Sequence, residues 1–290
     1  MEKGERNSDM KILITGSTGF LGSRTAAYFS SLGYEVQTPT HSQMDITDKN
    51  SVNIWFRQHH PQAVIHCAAV SDTGRCQREP EFSTRVNVTG SVNLAAACRE
   101  FGAKLIFCSS DQVYHASPLP GPHSEREILS PETVYARQKL LAEQQCTAIC
   151  PDTVSLRLSW MYSETALPGE HGHLLVSLRN ALTDTSLPLS WSDRDFRGIT
   201  DVDAVVKNLP AALALPGGVY NFGSGNDLDM YHTIRDVFEE LNLTDALTRL
   251  TRNPNAAPRD IRMDGTLATS HGIVFESTRS SLLHCLKNCL

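Results

Sequence analysis

Tyr135 and Lys139 are four positions apart in ETVYARQKLLAE, residues 132–143, a segment rich in good helix formers. On a helix, positions i and i+4 lie on one face, so the phenol and the ammonium can point into the same space. A nearby ammonium lowers the pKa of a phenol from about 10 by favouring the phenolate. The pair therefore suits proton transfer, although the same spacing also occurs on ordinary helix surfaces, with an exposed Lys beside a half-buried Tyr.

A glycine-rich turn follows the first predicted strand, KILITG, and leads into a helical pattern. Glycines permit a tight bend and a close backbone approach, and a helix N-terminus offers free N–H groups and a positive dipole to a pyrophosphate. The spacing is G-x-x-G-x-x-G rather than the usual G-x-G-x-x-G, so a turn needed only for helix–sheet packing is the alternative. The candidate cofactor-binding residues of this turn are Gly16, Thr18, Gly19, Phe20, Leu21 and Gly22.

The end of the second predicted strand bears on the choice of dinucleotide. An acid at this position accepts hydrogen bonds from the ribose 2′-OH of NAD and repels a 2′-phosphate. The stretch QTPTHS, residues 37–42, contains neither an acid nor an arginine, which favours NADP(H) over NAD(H), with His41 as a phosphate contact. Asp45 and the adjacent Ile46 are further cofactor candidates that can reach the adenine, with a simple turn or helix cap as the alternative for Asp45.

These candidates belong to a regular alternation of apolar runs and helical patterns from Met10 onward, and most of the runs are almost continuously apolar. That alternation predicts an α/β fold, a doubly wound parallel sheet (Rossmann fold) with a smaller interleaved α/β substrate-binding cap. We predict a dinucleotide-binding domain over residues 10–160. Residues 161–290 are predicted to form the cap, interleaved with the last Rossmann elements at approximately residues 195–225.

Composition narrows the classes of partner. The formal net charge of -6 and the pI near 6.0 give no general basic surface, so nucleic acid is not an expected partner. No apolar run approaches the roughly 20 residues that span a bilayer, and the N-terminus MEKGERNSD lacks a secretory apolar core. We therefore expect a cytoplasmic protein with no membrane partner.

The eight cysteines include no Cys-x-x-Cys pair, which indicates reduced, mostly buried thiols. His171 and His173 in GEHGH have a spacing that can hold a metal, but a solvated loop is the favoured interpretation. No metal is predicted.

The glycine spacing at residues 16–22, the strand end Ser109-Ser110-Asp111 and Tyr135-x-x-x-Lys139 together resemble the extended short-chain dehydrogenase/reductase superfamily. HCAA at residues 66–69 and VNV at residues 86–88 are supporting matches. MDITD, SSDQVY, SPETVYARQKLLAE, LRLSWMY and APRDIRMD look most like the dTDP-4-dehydrorhamnose reductase branch. The likeness covers essentially Met10 to the end.

The resemblance implies roles for the residues that match it. Hydride transfer to a ketone leaves an alkoxide, which Tyr135 would protonate, while Ser110 holds the carbonyl and Lys139 tunes the phenol and binds the nicotinamide ribose. Asn87 would support a water relay, or else simply satisfy local polar groups. The remaining candidates implied by the resemblance are Cys67, Ala68 and Ala69 for the cofactor, with Tyr135 and Lys139, and Asp111, Trp160, Arg259 and Arg262 for the substrate.

Trp160 has core packing as its alternative, and the two arginines have surface ion pairs with Asp260 or Asp264. Guanidinium forks suit diphosphates, which is why Arg259 and Arg262 are substrate candidates.

The reaction type follows from one position. Dehydratases that resemble this chain carry Thr-Asp-Glu at the strand end where it has Ser110-Asp111-Gln112, and an amide cannot serve as the base. An NAD(P)H-dependent reductase of a 4-keto nucleotide-sugar is therefore the leading hypothesis. The alternatives are a dinucleotide-binding regulatory subunit like that of methionine adenosyltransferase, because Gln112 and His115 depart from the reductase pattern, and a nucleotide-sugar epimerase.

The C-terminal SSLLHCLKNCL places Leu282, Leu283, Leu286 and Leu290 at helical spacing with Cys285 and Cys289. We predict that this helix docks on the fold rather than on another chain. A possible homodimer is expected from the resemblance alone.

Overall fold

The computed structural model describes residues 10–164 and 174–288. The strands in this part of the chain are β1 Lys11–Thr15, β2 Glu35–Gln37, β3 Ala63–His66, β4 Lys104–Ser110, β5 Val154–Leu158, β6 Trp160–Tyr162, β7 Leu189–Trp191, β8 Asp195–Phe196, β9 Ile199–Asp201, β10 Gly218–Phe222, β11 Leu250–Arg252 and β12 Arg259–Asp260. The α-helices are α1 Phe20–Ser31, α2 Lys49–His59, α3 Thr73–Arg78, α4 Pro80–Thr84, α5 Ser91–Phe101, α6 Val134–Ile149, α7 Leu174–Thr183, α8 Val202–Ala212, α9 Met230–Glu240, α10 Thr244–Arg249, α11 Thr266–Ser270 and α12 Thr278–Lys287. A π-helical stretch, Arg85–Gly90, precedes α5, and a 3-10 turn, Asp111–Tyr114, follows β4.

A six-stranded sheet forms the framework, in the order β10-β5-β4-β3-β1-β2. The pairs β1–β2, β1–β3 and β3–β4 are parallel. The chain builds outward from β1 to β2 and then in the other direction from β3 to β4, so the order reverses between β1 and β3. In open sheets of this type, ligands bind beyond the carboxyl ends of the strands at such a reversal. The predicted fold class is confirmed.

The central strands contain runs of consecutive apolar residues because helices cover both faces of a doubly wound sheet. The fully or almost fully buried residues are Ile12, Leu13 and Ile14 in β1, Ala63, Val64 and Ile65 in β3, and Leu105, Ile106 and Phe107 in β4. Because consecutive residues point to opposite faces, both faces of these strands are buried, and the sheet lies between two layers of helices.

The chain divides into two compact units. The first runs to Val113 and also contains Pro131–Arg157 and Val206–Tyr220. The second contains Tyr114–Ser130, Leu158–Val205 and Asn221–Leu290. The predicted domain boundaries, at residue 160 and at approximately residues 195–225, do not include one exchange that this division contains. The segment Tyr114–Ser130, after β4, belongs to the second unit.

Helix α12 packs within the second unit against α7 and α9. Leu282, Cys285 and Leu286 lie in its apolar core, so the predicted docking of this helix on the fold is confirmed for residues up to 288. Cys289 and Leu290 lie outside the described residues. Within the described part of the chain, no helix is long and apolar enough to cross a membrane.

Candidate active site

The glycine turn between β1 and α1 has the shape that its sequence predicts. Gly16 has a φ of +68°, a backbone conformation that favours glycine, and its N-terminal neighbour Thr15 ends β1. A Cβ on Gly16 would lie 2.6 Å from the Ala68 nitrogen, and one on Gly22 would overlap the Gly16 carbonyl oxygen. Gly19, whose N–H donates to the Gly16 oxygen at 2.9 Å, is the cap of α1. The tight turn and the open backbone thus form a cradle at the N-terminus of a 12-residue helix.

Replacing Gly22 by Ala is expected to destabilise the protein by about 3 kcal/mol and to weaken dinucleotide binding, because the new methyl group must push back the Gly16 carbonyl. Urea unfolding and dinucleotide titration will measure both effects. Gly265→Ala is the matched control, since a Cβ there meets nothing within 4 Å. Equal stability and binding in the two variants would contradict the proposed role of the turn.

A hydrogen-bond chain that the sequence did not reveal supports this turn. The Ala68 N–H donates to Thr15 Oγ1 at 3.3 Å, and Thr15 Oγ1 lies 2.7 Å from His66 Nδ1. On the other side of the ring, His66 Nε2 lies 2.9 Å from Ser91 Oγ, and Ser91 donates its own proton to the Asn87 carbonyl at 2.8 Å. Because the Ser91 proton is committed, Nε2 carries the ring proton and Nδ1 accepts from Thr15. His66 is therefore a neutral ring that connects β1, β3 and the start of α5.

Burial, together with the positive charge of nearby Lys139, lowers the pKa of His66 to about 3. The unfolded chain, in which His has a pKa near 6.5, binds a proton that the folded chain refuses between these two values. The stability contributed by the neutral ring is therefore fully present above about pH 6.5 and is lost as pH falls toward about 3.

As the pH is lowered from about 7 to about 5, the free energy of unfolding of the parent protein is therefore expected to fall more steeply than that of His66→Asn. The difference should reach up to about 1.4 kcal/mol per pH unit. Urea unfolding across that range will measure the difference. His271→Asn, which changes an exposed histidine, should keep the parent's slope. A parallel pH dependence of the parent and His66→Asn would refute the assignment.

Ser110, Tyr135 and Lys139 come together beyond β4, as the sequence predicts. Thr133 caps α6 by accepting from the Ala136 N–H, so the helix begins at Val134, one residue before Tyr135. Ser110 is a neighbour of the Tyr135 phenol that favours its ionised form, and all three side chains are at least nine-tenths buried. Lys139 lies with its ammonium 5.8 Å from the centre of the Tyr135 ring and donates to the Cys108 carbonyl at 2.8 Å.

The prediction that Lys139 lowers the pKa of the Tyr135 phenol below its usual value is wrong. Burial raises the pKa of Tyr135; the Ser110 hydrogen bond opposes that rise, and the negative charge of Asp111 adds to it. Burial likewise lowers the pKa of Lys139. The Lys139 ammonium donates to the Cys108 carbonyl and lies over the Phe107 ring. The cost of burying a phenolate at Tyr135 therefore outweighs the attraction between that phenolate and the ammonium.

Asn87 lies in the π-helical stretch and its side-chain amide bonds to protein groups. Its Oδ1 accepts from the Val70 N–H at 2.8 Å, and its Nδ2 donates to the Val70 oxygen at 3.0 Å and to Gln138 Oε1 at 2.9 Å. These contacts match the alternative interpretation of a residue that satisfies local polar groups. Its role in a water relay stays a prediction.

A second feature missed at the sequence level is a buried charge cluster next to Lys139. Glu143, one turn further along α6, receives hydrogen bonds from Arg157 Nε at 3.1 Å and Nη2 at 2.8 Å. Ser109 donates to the same carboxylate at 2.5 Å. Both charged side chains are 3% exposed, so β4, α6 and β5 are fastened together beside the Tyr135 site. An arginine in the apolar strand VSLRL was the available signal.

The residues proposed to select the cofactor surround the turn that precedes α2. The Asp45 carboxylate accepts from the Thr47 N–H and hydroxyl, both at 2.8 Å, as the turn alternative has it. Burial raises the pKa of Asp45, but these hydrogen bonds and nearby His41 outweigh it and leave the pKa lowered. His41 is 82% exposed, whereas Ile46 is buried and packs where a Cβ of Gly90 would stand.

The substrate candidates other than Asp111 lie in the second unit. Arg259 makes a two-point ion pair with Asp195, at 2.8 and 2.5 Å, and Arg262 makes one with Asp260, at 2.9 and 2.7 Å. Arg262 thus follows the ion-pair alternative with Asp260, whereas the partner of Arg259 is Asp195 rather than Asp260 or Asp264. Trp160 is 39% exposed.

Trp160 stacks under the Arg197 guanidinium, 5.0 Å from the ring centre. His171 and His173, the metal hypothesis, lie outside the described residues. In residues 10–164 and 174–288, no three His, Cys, Asp or Glu side chains gather in a way that could hold a metal ion.

Residues 10–289 match the protein family described as RmlD substrate binding domain. The spore coat polysaccharide biosynthesis protein SpsK of Bacillus subtilis (strain 168) is 27% identical over 258 residues, 86% of each chain. The dTDP-4-dehydrorhamnose reductase of Mycobacterium tuberculosis (strain ATCC 25618 / H37Rv) is 35% identical over 156 residues, 53% of this chain and 51% of that protein. Methionine adenosyltransferase 2 subunit beta of Bos taurus is 24% identical over 278 residues, 91% of this chain and 83% of that protein.

Solved structures share the fold. The dTDP-4-dehydrorhamnose reductase of Bacillus anthracis in complex with NADP superposes with a TM-score of 0.81 at 19% identity, covering 96% of this chain and 98% of that one. The UDP-glucose 4-epimerase of Thermus thermophilus in complex with NAD gives 0.73 at 22% identity, covering 97% and 100%. Proteins of this fold are thus solved with either dinucleotide.

Proposed function

We propose, from the premise that this chain belongs to the RmlD substrate binding domain family, that it is an NAD(P)H-dependent reductase of a 4-keto nucleotide-sugar. The observation that carries the proposal is that the Tyr135 phenol lies beside Ser110 and the Lys139 ammonium, on the same edge of the sheet as the glycine turn. The first unit supplies all of these residues. A proton donor placed at this edge suits a ketone that accepts a hydride.

The residues of the glycine turn fit a dinucleotide. Gly16 and Gly22 leave the backbone bare where any Cβ would overlap it, and the first N–H groups of α1 would bind the pyrophosphate. When bound, the reduced nicotinamide supplies the hydride. Ala68 and Ala69 follow β3 at the neighbouring strand end, and with Cys67 they would line the same edge.

Each polar side chain has a distinct task in the proposed reaction. The Ser110 hydroxyl, which donates to Asp111 Oδ1 in this structure, would orient the substrate carbonyl. Tyr135 would give its phenolic proton to the carbonyl oxygen as the hydride arrives at the carbon. The raised pKa of Tyr135 keeps the phenol protonated at neutral pH, which is the form that donates. Lys139 provides a positive charge close to the ring and would hold the ribose. Asp111 stands at the same strand end for contact with the sugar.

Gln112 argues for reduction over elimination of water. Its amide Nε2 donates to Asp111 Oδ1 at 3.1 Å, so the amide positions a neighbour and brings no second carboxylate to the site. The Asp111–Gln112 pair therefore offers one acid where elimination chemistry uses two. We accordingly propose reduction in preference to dehydration, with epimerisation as a weaker alternative.

The test is turnover by the purified protein with NADPH or NADH and a panel of nucleotide-linked 4-keto-6-deoxysugars. Oxidation of the nicotinamide that depends on the sugar, together with a product two hydrogens heavier, would support the proposal. Tight dinucleotide binding without turnover of any sugar in the panel would reject it.

We propose NADP(H) as the preferred dinucleotide because residues 37–42 carry no acid to repel a 2′-phosphate. Gln37 ends β2 and turns its Nε2 to the His59 carbonyl at 3.0 Å. The hydroxyls of Thr40 and Ser42 lie close to the exposed His41. Calorimetric titration is expected to show tighter binding of NADPH than of NADH, and His41→Ala should reduce only the NADPH affinity.

A second candidate function is a dinucleotide-binding regulatory subunit, favoured by the length of the match to methionine adenosyltransferase 2 subunit beta. The raised pKa of Tyr135 is also compatible with a phenol that no longer donates. Mixing the protein with a methionine adenosyltransferase catalytic subunit discriminates the two. A stoichiometric complex together with an absence of sugar reduction would favour the regulatory function.

A further inference from the structure

Two cysteines whose thiol chemistry the proposed reaction does not use lie next to each other in the candidate site. Cys108 is in β4, and Cys67 follows the last residue of β3. Their sulfur atoms are 3.7 Å apart, within hydrogen-bond distance for thiols. Both cysteines are free.

The sheet register makes this approach a fixed property of the backbone. His66 pairs with Phe107 in the parallel ladder, so Cys67 and Cys108 are the next residues in register. Side chains at matched positions of neighbouring strands point to the same face, and the strands are about 4.8 Å apart. That separation falls inside the range of about 4.4–6.8 Å between the Cα atoms of disulfide-bonded cysteines. Closing the gap from 3.7 Å to a bond of about 2.05 Å needs only side-chain rotation and a small shift.

The surroundings activate one of the two sulfurs. Lys139 donates from its ammonium to the Cys108 carbonyl at 2.8 Å. The hydrogen bond from the Cys67 thiol and the Lys139 charge lower the pKa of Cys108, although burial opposes them. A thiolate is the nucleophilic form of cysteine. Cys108 is buried, and segment 67–70 beside it is partly exposed.

We propose that Cys67 and Cys108 are an oxidative modification site, which hydroperoxides convert to a disulfide. The Cys108 thiolate attacks one oxygen of hydrogen peroxide, the O–O bond breaks, and the departing hydroxide takes a proton to leave as water. The resulting sulfenic acid is attacked by the Cys67 sulfur, the S–O bond breaks, and a second water leaves with the Cys67 proton. Two thiols are oxidised by two electrons in total, and one peroxide is reduced to two waters.

The disulfide would disturb the dinucleotide site through two contacts, a consequence that rests on the proposed function. Cys67 immediately precedes Ala68, whose backbone stands against Gly16 of the glycine turn. The Cys108 carbonyl anchors the Lys139 ammonium. Drawing the two cysteines together therefore shifts both the floor of the turn and the position of Lys139.

The first experiment is independent of any activity. Full-length protein is treated with hydrogen peroxide, its remaining thiols are alkylated, and non-reduced peptides are mapped by mass spectrometry. A Cys67–Cys108 cross-linked peptide, with an intact mass lower by two hydrogens, is expected in the parent and in the control Cys150→Ser. The cross-link should be absent from Cys67→Ser and from Cys108→Ala, the latter serving if the former folds poorly. Oxidation of either cysteine only to sulfinic acid, or a different pairing, would overturn the proposal.

The second experiment measures NADPH affinity before oxidation, after it, and after reduction with dithiothreitol. We expect at least an approximately tenfold loss of affinity in the parent, restored on reduction and absent in Cys67→Ser. A cross-link that leaves affinity unchanged would overturn the proposed coupling to the cofactor. Failure of the untreated protein to bind NADPH would instead reject the proposed function and would leave the cross-link result standing.

Discussion

Replacing Tyr135 by Phe is expected to lower the turnover of the 4-keto sugar by about 10²–10⁴-fold while leaving dinucleotide affinity within about twofold of the parent. The substitution removes only the proton donor, and the buried ring keeps its packing against α6 neighbours. The affinity should persist because the glycine turn and α1 are untouched. Steady-state kinetics and NADPH titration on the same preparation will measure the two effects.

Tyr28→Phe is the matched control for this loss. Tyr28 lies on α1, away from β4, and removal of its hydroxyl should leave turnover close to that of the parent. Ser110→Ala should also reduce turnover, since it removes the group that bonds Tyr135. If Tyr135→Phe retained more than about a tenth of the parent rate, the phenol would not be the proton donor.

Breaking the Glu143–Arg157 pair is expected to produce the largest loss of stability. Arg157→Met leaves the Glu143 carboxylate buried without its cation, which costs about 3–5 kcal/mol in the free energy of unfolding. The double variant Glu143→Leu/Arg157→Met removes both charges and should recover most of that loss, since well-packed apolar residues replace buried ion pairs at little cost. Urea unfolding of the single and double variants will measure the difference.

The Arg279–Glu240 pair provides the control on the surface of the second unit. Its side chains are 42% and 39% exposed, so Glu240→Gln should change the free energy of unfolding by no more than about 1 kcal/mol. A similarly small effect of Arg157→Met would show that the buried pair is not needed to hold β4, α6 and β5 together.

The fold and the gathering of the catalytic candidates were predictable because they follow from local patterns. Continuous apolar runs separated by helices specify a sheet covered on both faces, and the carboxyl ends of parallel strands share one edge. Ser110 lies at such an end, and Tyr135 is the second residue of α6, which packs on β4. The resemblance to the short-chain reductases, which rests on the same residues, is confirmed by the family match and by reductases among the relatives.

The features that sequence reasoning missed depend on burial and on partners distant along the chain. His66 owes its neutral state to burial and to the charge of Lys139, and its hydrogen-bond partners Thr15 and Ser91 stand 51 and 25 positions away. Nothing local distinguishes it from any histidine in an apolar strand. The direction of the Tyr135 pKa shift likewise depends on how completely the phenol is enclosed, which the spacing to Lys139 does not reveal.

Residues of the second unit were the hardest to interpret. Arg259 and Arg262 have the chemistry that binds diphosphates, but they also have Asp195 and Asp260 as partners. Asp195 is 64 positions from Arg259, and the short parallel pair β8–β12 brings them together. Side-chain type alone therefore could not choose between a ligand contact and an internal ion pair.

The late return of the chain to its first unit limits how the protein can be cut. A fragment that stops after Arg157 lacks β10, the neighbour of β5, and leaves a row of backbone donors and acceptors of β5 bare. Such a fragment also lacks the Leu215 carbonyl, to which the Lys104 ammonium donates at 2.8 Å. Truncation between the halves should therefore yield aggregates through edge-to-edge pairing, and a shortened protein that stays monomeric must retain Val206–Tyr220.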